Sequence, residues 1–324
     1  MADRQTGPPS QPEVTRSSII KADGGPTAVG TRDRGRRRPR RRWVGWLYVL
    51  PALVLYTFVV LVPAVQSVNY SFFRWDGVSA AVFIGLQNYA AFFTDPLLAE
   101  SVGNIGVLVI FYAVLPIILG LVSAALLARH RRPGFAVFRW VIFLPQVLTS
   151  VVVAVLWKQL YGPDGPINKA LDAVGLGALT RDWLGDFTLA LPALGLVGTW
   201  TTFGLCMVLF VSGSASISTS LYDAARVDGA GAIREFFAVT LPGLRPQLAV
   251  ALTLTVTAAL RTFDLVWLTT RGGPGTSTIT PSFLLYTKAF SVGDVGAAAA
   301  IGVVMALACL LIALGIVRVV ERDS

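Results

Sequence analysis

The sequence predicts an all-α membrane protein with six transmembrane helices. Its 324 residues are 54% hydrophobic and only 14% charged, and the mean hydropathy is +0.67, which is too apolar for a soluble globular protein. Six apolar runs each approach or exceed the about 20 residues with which a helix crosses a bilayer. The predicted spans are Trp43–Val65, Val102–Ala128, Phe135–Trp157, Phe187–Val211, Gln247–Leu268 and Val295–Val319.

The first 42 residues are predicted to form a disordered basic tail. Residues 1–31 are rich in Gly, Pro, Ser and Thr and have no hydrophobic period, and the arginine-rich run Arg34–Arg42 lies directly against the first span. This run has no aromatic residues between its charges, so anionic lipid at the cytoplasmic surface is a better partner than nucleic acid. The first span is too long for a removed signal peptide and is interpreted as an anchor.

The positive residues predict the orientation of the spans. Of the 27 lysine and arginine residues, most fall before the first span or in the loops on the same side of the membrane. Cytoplasmic loops carry such an excess of positive residues. We therefore expect both termini, including the short tail 320–324, and the long polar loop 213–246 to lie in the cytoplasm.

Prolines lie inside or beside several of the predicted spans. A proline in a helix removes a hydrogen-bond donor and frees a carbonyl, which neighbouring groups then satisfy. We expect bends at these positions, which are Pro51, Pro63, Pro116, Pro145 and Pro192.

A polar stretch, Leu221–Pro246, separates the fourth and fifth spans. Its apolar residues have helical spacing on both sides of Asp228 and Gly229, and this pair favours a turn. The pattern predicts a helix, a glycine turn, and a second short helix that ends at Pro242. An amphipathic hairpin at the membrane surface, without a specific role, is the simplest alternative.

The same stretch resembles a known sequence motif. Asp223-Ala224-Ala225, then Gly229, then Val239-Thr240-Leu241-Pro242 is similar to the EAA loop of membrane subunits of binding-protein-dependent ABC importers. This chain has Asp223 where the family has Glu and Val239 where it commonly has Ile. The resemblance implies that the loop couples the subunit to an ATPase through these residues: Asp223, Ala224, Ala225, Asp228, Gly229, Leu241 and Pro242.

Two further stretches resemble sugar-type permeases of that family. Phe83–Tyr89 precedes Asp95-Pro96, and its neighbourhood forms an apolar stripe for the outer membrane interface. The stripe consists of Phe83, Leu86, Tyr89, Ala90 and Phe93. The second stretch, Phe263–Pro274, closes the fifth span and contains Leu268-Thr269-Thr270-Arg271-Gly272-Gly273-Pro274. Together the resemblances imply a carbohydrate or a related polyol phosphate as the transported solute.

Polar residues within the spans are candidates for a substrate path. Sugars are bound by dense hydrogen bonding and by stacking on aromatic faces, so Trp200 beside threonines has suitable chemistry. The resemblance to maltose-type permeases implies that the path includes Gln146, Gly198, Thr201, Thr202, Thr255, Ala259 and Thr262. The alternative is structural, because threonine in a membrane helix can bond its own backbone and small residues permit close packing.

Two charged residues, Arg261 and Asp264, fall within the fifth predicted span. An arginine at the centre of a membrane helix costs about 2.5–3.5 kcal/mol on insertion scales. Residues three apart share a helix face, so the pair could neutralise itself there. An internal ion pair and a role near the substrate both remain open.

The sequence contains no motif for ATP hydrolysis or other catalysis. The glycine-rich run Arg271–Thr276 lacks the lysine of a phosphate-binding loop, so the subunit must use a partner ATPase or an ion gradient. Cys206 and Cys309 lie in apolar runs, and His130 has no cluster of ligands around it, so neither a disulfide framework nor a metal site is predicted. We expect a transport subunit that is not an enzyme.

The family resemblance also implies the partners and the location. It implies a second permease subunit, a pair of cytoplasmic ATPases that hold ATP and Mg²⁺, an extracytoplasmic substrate-binding protein, and the plasma membrane of a bacterium. No cofactor is expected on this chain. Two other classes remain open, namely a secondary transporter of a small polar solute driven by an ion gradient and a membrane receptor or scaffold.

Overall fold

The computed structural model describes residues 42–128 and 135–322. The predicted tail before Arg42, the loop that contains His130, and the last two residues lie outside the described residues. The chain divides into two compact units after Val54. The described part of the first unit is helical, and the second unit contains the remaining elements.

The described residues contain five helical segments that are long and apolar enough to cross a membrane, or six if one bent pair counts as a single span. The prediction of several membrane-spanning helices is confirmed at this level. Their bounds differ from the predicted bounds by a few residues. The five segments are Tyr48–Tyr70, Pro96–Leu126, Ala190–Ser214, Arg245–Thr269 and Val295–Val320.

The third predicted span is the bent pair. It consists of α6 (Phe135–Val147) and α7 (Ser150–Leu160), whose axes differ by 101° across a short break. Pro145 lies in the last turn of α6 and removes a hydrogen-bond donor there, and Thr149 has an extended backbone immediately before α7. The single predicted segment Phe135–Trp157 is therefore two helices.

The first two spans each contain one wide, π-helical turn. The first comprises α1 (Arg42–Tyr56), the wide turn Thr57–Leu61 and α2 (Val62–Tyr70). The second comprises α4 (Pro96–Val109), the wide turn Ile110–Val114 and α5 (Leu115–Ala128). Each wide turn ends two residues before a proline, Pro63 or Pro116. A proline cannot donate to the carbonyl four residues earlier, and this missing bond explains the local change of helical pitch.

A short segment joins the first and second spans. It contains strands β1 (Phe73–Arg74) and β2 (Val82–Phe83), which pair antiparallel, followed by α3 (Gln87–Thr94). The described chain is mostly helical, in agreement with the predicted all-α class, and this short strand pair is an addition that was not predicted. Phe83 lies in β2 outside α3, so the predicted apolar stripe does not lie on one helix.

The remaining elements include both spans and short connecting helices. The spans are α9, α13 with α14, and α16, and the other elements connect them. They are α8 (Pro166–Ala173), a 3₁₀ turn Gly177–Leu179, α9 (Ala190–Ser214), α10 (Thr219–Val227), α11 (Ala232–Glu235), a wide turn Phe236–Thr240, α12 (Leu241–Gly243), α13 (Arg245–Leu260), α14 (Asp264–Thr269), α15 (Pro281–Tyr286), a wide turn Thr287–Val292 and α16 (Val295–Arg322).

Helix α9 lies at the centre of the packed region. Half of its apolar stretch is buried, and the helix packs against α4, α5, α6 and α13. A Cβ atom at Gly198 would overlap the ring of Tyr112, and one at Gly204 would overlap the backbone of Ile142. These two glycines permit the close approach of neighbouring membrane helices, as small residues commonly do.

Candidate functional site

The polar loop between the fourth and fifth spans folds as two helical arms around a glycine turn. The first arm is α10, and the second is α11 with the wide turn that follows it. Asp228 ends α10, and Gly229 has a φ of +74°. Glycine adopts this left-handed backbone conformation without the strain that a side chain adds. The structure thus agrees with the predicted turn at Asp228 and Gly229.

The second arm ends at Gly243, one residue beyond the predicted end at Pro242. Pro242 follows the wide turn Phe236–Thr240 by two residues, as Pro63 and Pro116 follow theirs. The backbone NH of Leu244 donates to the carbonyls of Thr240 and Leu241 at 3.0 and 3.2 Å, and α13 begins at the next residue. The second arm is therefore joined to the fifth span by an almost continuous helical path.

Two side-chain contacts connect the two arms. Arg226 Nε lies 3.3 Å from Glu235 Oε2, and the hydroxyl groups of Tyr222 and Thr240 are 3.2 Å apart. Arg226 Nη1 also lies 3.5 Å from Asp223 Oδ1 on the same helix. The sequence alone did not reveal these cross-loop partners. The available signal was a pair of opposite charges on either side of the glycine turn.

Three large apolar side chains of the loop are exposed. The exposed fractions are 87% for Val227, 76% for Ile233 and 61% for Phe237. Of the predicted coupling residues, Asp223 and Ala224 are exposed and Ala225 is half-buried. An exposed apolar surface beside charged residues is typical of a site that contacts another protein.

Behind the two arms lies a cleft of about 1110 Å³. Its walls come from the ends of α5 and α9 and from the inner side of the loop. Charged groups line it at Arg139, Asp223, Arg226 and Glu235. The loop therefore stands away from the spans and leaves room beneath both arms.

A second cavity of about 270 Å³ lies among the spans. Four of the predicted substrate-path residues and both intramembrane charges line it. These residues are Gln146, Thr201, Thr202, Arg261, Thr262 and Asp264. The structure thus brings together polar groups that come from α6, α9 and the break between α13 and α14.

The other predicted path residues lie behind the wall of this cavity. Thr255 is fully buried and donates to the carbonyl of Ala251 at 2.7 Å. Ala259 is also fully buried, and Trp200 makes an edge-to-face contact with Trp157 at a centroid distance of 5.5 Å. Together with Gly198, which contacts Tyr112, these residues shape the wall without lining the cavity.

The threonine hydroxyl groups of the cavity are already hydrogen-bonded. Thr201 and Thr202 both donate to the carbonyl of Gly198, at 2.9 and 2.7 Å, and Thr262 donates to Ala258 at 3.1 Å. These bonds to the backbone of their own helix are what a purely structural role of the threonines predicts. Each hydroxyl oxygen keeps its acceptor lone pairs, so it can still accept a hydrogen bond from a polyol.

Arg261 and Asp264 do not share a helix face, contrary to the prediction. Arg261 follows the last residue of α13, and Asp264 is the first residue of α14. Within the described part of the chain, no ion pair joins them. The helix break directs both groups to the same cavity, because their helices end and begin there.

Residues of the two other family-like motifs lie in the connecting segments and stabilise them. Asn88 Nδ2 donates to the carbonyls of Ser71 and Phe73, at 2.9 Å each, and the hydroxyl groups of Tyr89 and Ser71 are 2.6 Å apart. In the second motif, Arg271 lies over the Trp267 ring at 5.9 Å. Both motifs thus have a structural role that the sequence alone did not reveal.

Among the residues that the structure describes, no group of three or more His, Cys, Asp and Glu side chains could hold a metal ion. The free cysteines, Cys206 and Cys309, are buried and half-buried.

Comparison with known proteins identifies the family. Residues 116–323 match the family model described as "Binding-protein-dependent transport system inner membrane component". The chain is 36% identical over 278 residues to the probable ABC transporter permease protein YurN of Bacillus subtilis, covering 84% of this chain and 94% of that protein. It is 32% identical over 301 residues to the diacetylchitobiose uptake system permease protein NgcF of Streptomyces coelicolor, covering 89% of this chain and 85% of NgcF.

Further similarities agree with this assignment. The sulfoquinovosyl glycerol transport system permease protein SmoG of Agrobacterium fabrum is 32% identical, with 82% of this chain and 89% of SmoG covered. A solved bacterial ABC transporter involved in the import of the acidic polysaccharide alginate has the same fold, with a TM-score of 0.73, 22% identity, and coverage of 87% of this chain and 96% of that chain. A multi-pass membrane transport subunit, not an enzyme, was also the prediction from the sequence. The chain belongs to the family of inner membrane components of binding-protein-dependent transport systems.

Proposed function

We propose that this chain is one of two permease subunits of an ATP-driven importer for a carbohydrate or a related polyol phosphate. The two termini and the loop 213–246 lie in the cytoplasm in this proposal. The excess of lysine and arginine on that side supports this orientation. The six apolar segments, counting the bent pair as one, support an even number of crossings.

The loop couples the subunit to a cytoplasmic ATPase. The observation that carries this proposal is the exposed apolar surface of Val227, Ile233 and Phe237, which flanks the turn at Gly229. Burial of apolar surface against a partner is the main favourable term in most protein association. Asp223 and Ala224 are exposed beside this surface, where they contact the groove of the ATPase. Through Leu241 and Pro242 the second arm continues into α13, so a displacement of the loop moves the fifth span.

The cavity of about 270 Å³ forms this subunit's part of the solute path. Its amide, hydroxyl and charged groups suit a solute with many hydroxyl groups, because such a solute both donates and accepts hydrogen bonds. Two of the relatives are named for the uptake of a sugar or a sugar derivative, which supports a carbohydrate. Phe263 adds an aromatic face to the lining.

The remaining partners complete the importer. A second, similar permease subunit faces this one across the path, and two ATPases bind ATP and Mg²⁺ on the cytoplasmic side. A substrate-binding protein delivers the solute on the opposite side. A related fold has been solved in complex with a periplasmic protein that carries an alginate pentasaccharide, which supports this arrangement.

Uptake into proteoliposomes tests the proposal. Both permeases and the ATPases are reconstituted with ATP inside, and the binding protein and radiolabelled mono- and disaccharides are added outside. We expect uptake that requires ATP and the binding protein and that is insensitive to ionophores. Uptake that needs no ATPase and collapses with an ionophore would support the secondary transporter, and no uptake of any sugar would refute the carbohydrate assignment.

A further inference from the structure

The two arms of the polar loop are joined by more than their turn. The contact between Arg226 and Glu235 crosses from α10 to α11, and the contact between Tyr222 and Thr240 crosses one helical turn further along each arm. Gly229 lies between the arms and can adopt many backbone conformations. A glycine turn alone therefore does not fix the angle between two helices.

The ion pair has an asymmetric environment. The Glu235 side chain is 8% exposed, whereas the Arg226 side chain is 58% exposed. A carboxylate that is removed from water requires a compensating cation or hydrogen bonds. Arg226, which is largely exposed, donates a charge-assisted hydrogen bond from Nε to Glu235 Oε2 at a distance of 3.3 Å. The buried partner, Glu235, thus belongs to the second arm, and the exposed partner, Arg226, belongs to the first arm.

We propose that the Arg226–Glu235 ion pair is a positioning element that fixes the angle between the two arms and so transmits movement of α10 to the fifth span. This inference rests on the proposed coupling role of the loop. An ATPase that closes on the first arm displaces α10, and the ion pair transfers this displacement to α11. Without the pair, the glycine turn absorbs the movement, because its backbone is free to rotate.

Arg226 also contacts Asp223, the acidic residue of the predicted coupling motif. Arg226 Nη1 lies 3.5 Å from Asp223 Oδ1, so one guanidinium group contacts both carboxylates. The planar guanidinium presents several donors in fixed directions. Arg226 is therefore adjacent to both the buried carboxylate of the second arm and the exposed carboxylate of Asp223.

A double-mutant cycle tests the proposal in the reconstituted importer. The variants are Arg226→Gln, Glu235→Gln and the double variant, with Arg234→Gln as the matched control. Arg234 is an exposed arginine next to Glu235 on the second arm, and it makes no ion pair within the described residues. The measurements are co-purification of the ATPase, ATP hydrolysis, and solute transported per ATP hydrolysed.

We expect Glu235→Gln to keep its ATPase and to hydrolyse ATP, while solute transported per ATP falls about fivefold or more, the lower limit of typical coupling between sites. Arg226→Gln should lose at least as much, because it also removes the contact with Asp223. The double variant should be no worse than Arg226→Gln alone, because Arg226→Gln already removes the contact with Glu235. The cycle thus separates the effect of the Arg226–Glu235 contact on coupling from the effect of any other contact of Glu235. Unchanged coupling in the single variants, or strictly additive losses, would overturn the proposal.

A distance measurement on the purified subunit decides the proposal independently of assembly. Spin labels are placed at Val227 and Phe237, one on each arm, after replacement of both native cysteines. We expect a broader distribution of distances in Glu235→Gln than in Arg234→Gln, and equal distributions would contradict the proposal. Failure of the coupling role itself has a different signature, since the unmodified subunit would then not co-purify with an ATPase.

Discussion

Replacement of Gly229 tests the geometry of the loop. Its φ of +74° lies in the left-handed region, and a Cβ atom at this position would meet no atom within 4 Å. The penalty for a side chain is therefore one of backbone conformation alone. This conformation costs an L-residue about 1–2 kcal/mol, which corresponds to a factor of roughly 5–30 in the population of the native turn.

We expect uptake to fall by up to this factor in Gly229→Ala and further in Gly229→Val, because branched side chains are least tolerated at positive φ. Gly229→Asn should retain more activity, since asparagine adopts this conformation more readily. The matched control is Gly231→Ala, because Gly231 has a φ of −71° and its Cβ would also meet no atom within 4 Å.

The assay is uptake of labelled sugar by vesicles, normalised to the amount of subunit that is assembled with its partners in the membrane. Normal uptake by Gly229→Val would refute the reasoning. An equal loss in Gly231→Ala would refute it too, because that result would show sensitivity to any side chain in this loop.

Two further substitutions test the packing of the spans. Gly198→Ala places a Cβ atom on the ring of Tyr112, so we expect a loss of about 1–3 kcal/mol and a lower melting temperature of the purified subunit. Gly106→Ala, which meets no atom within 4 Å, should leave that temperature unchanged, and equal effects would contradict the expectation. Asn88→Ala leaves two backbone carbonyls without their donor, at a cost of about 1–3 kcal/mol. The melting temperature should fall by roughly 2–8 °C, whereas Gln87→Ala should not change it.

The membrane-spanning segments and the glycine turn could be predicted because their signals are local. A span is a run of apolar residues of sufficient length, and the structure shifts the first predicted span by only a few residues. The turn at Gly229 follows from the interruption of helical spacing by Asp228 and glycine. Neither signal requires knowledge of distant contacts.

The helix breaks were harder to predict because a proline permits several outcomes. Pro63 and Pro116 each follow a wide turn inside a continuous span, whereas Pro145 precedes a bend of 101°. The difference depends on the neighbouring helices and on the extended backbone at Thr149. Pro242 also follows a wide turn, Phe236–Thr240, but there the helix ends one residue later, at Gly243.

The candidate site could be predicted only in part for a related reason. The family resemblance implied that Gln146 and Thr202 lie near a common path, and both line one cavity. It also assigned Thr255 to that path, but this residue faces a helix interface and is fully buried. Helical spacing gives the relative directions of side chains on one helix, whereas the neighbour that each side chain meets depends on the packing of several helices.

Crosslinking tests the central claim most directly. A single cysteine at Val227, which is 87% exposed, is placed in a background without Cys206 and Cys309, and the importer is purified with its ATPase. The coupling role predicts a crosslink between this cysteine and the ATPase whose yield changes when ATP is bound. A functional importer that forms no such crosslink, while a cysteine elsewhere on its cytoplasmic surface does, would contradict the account.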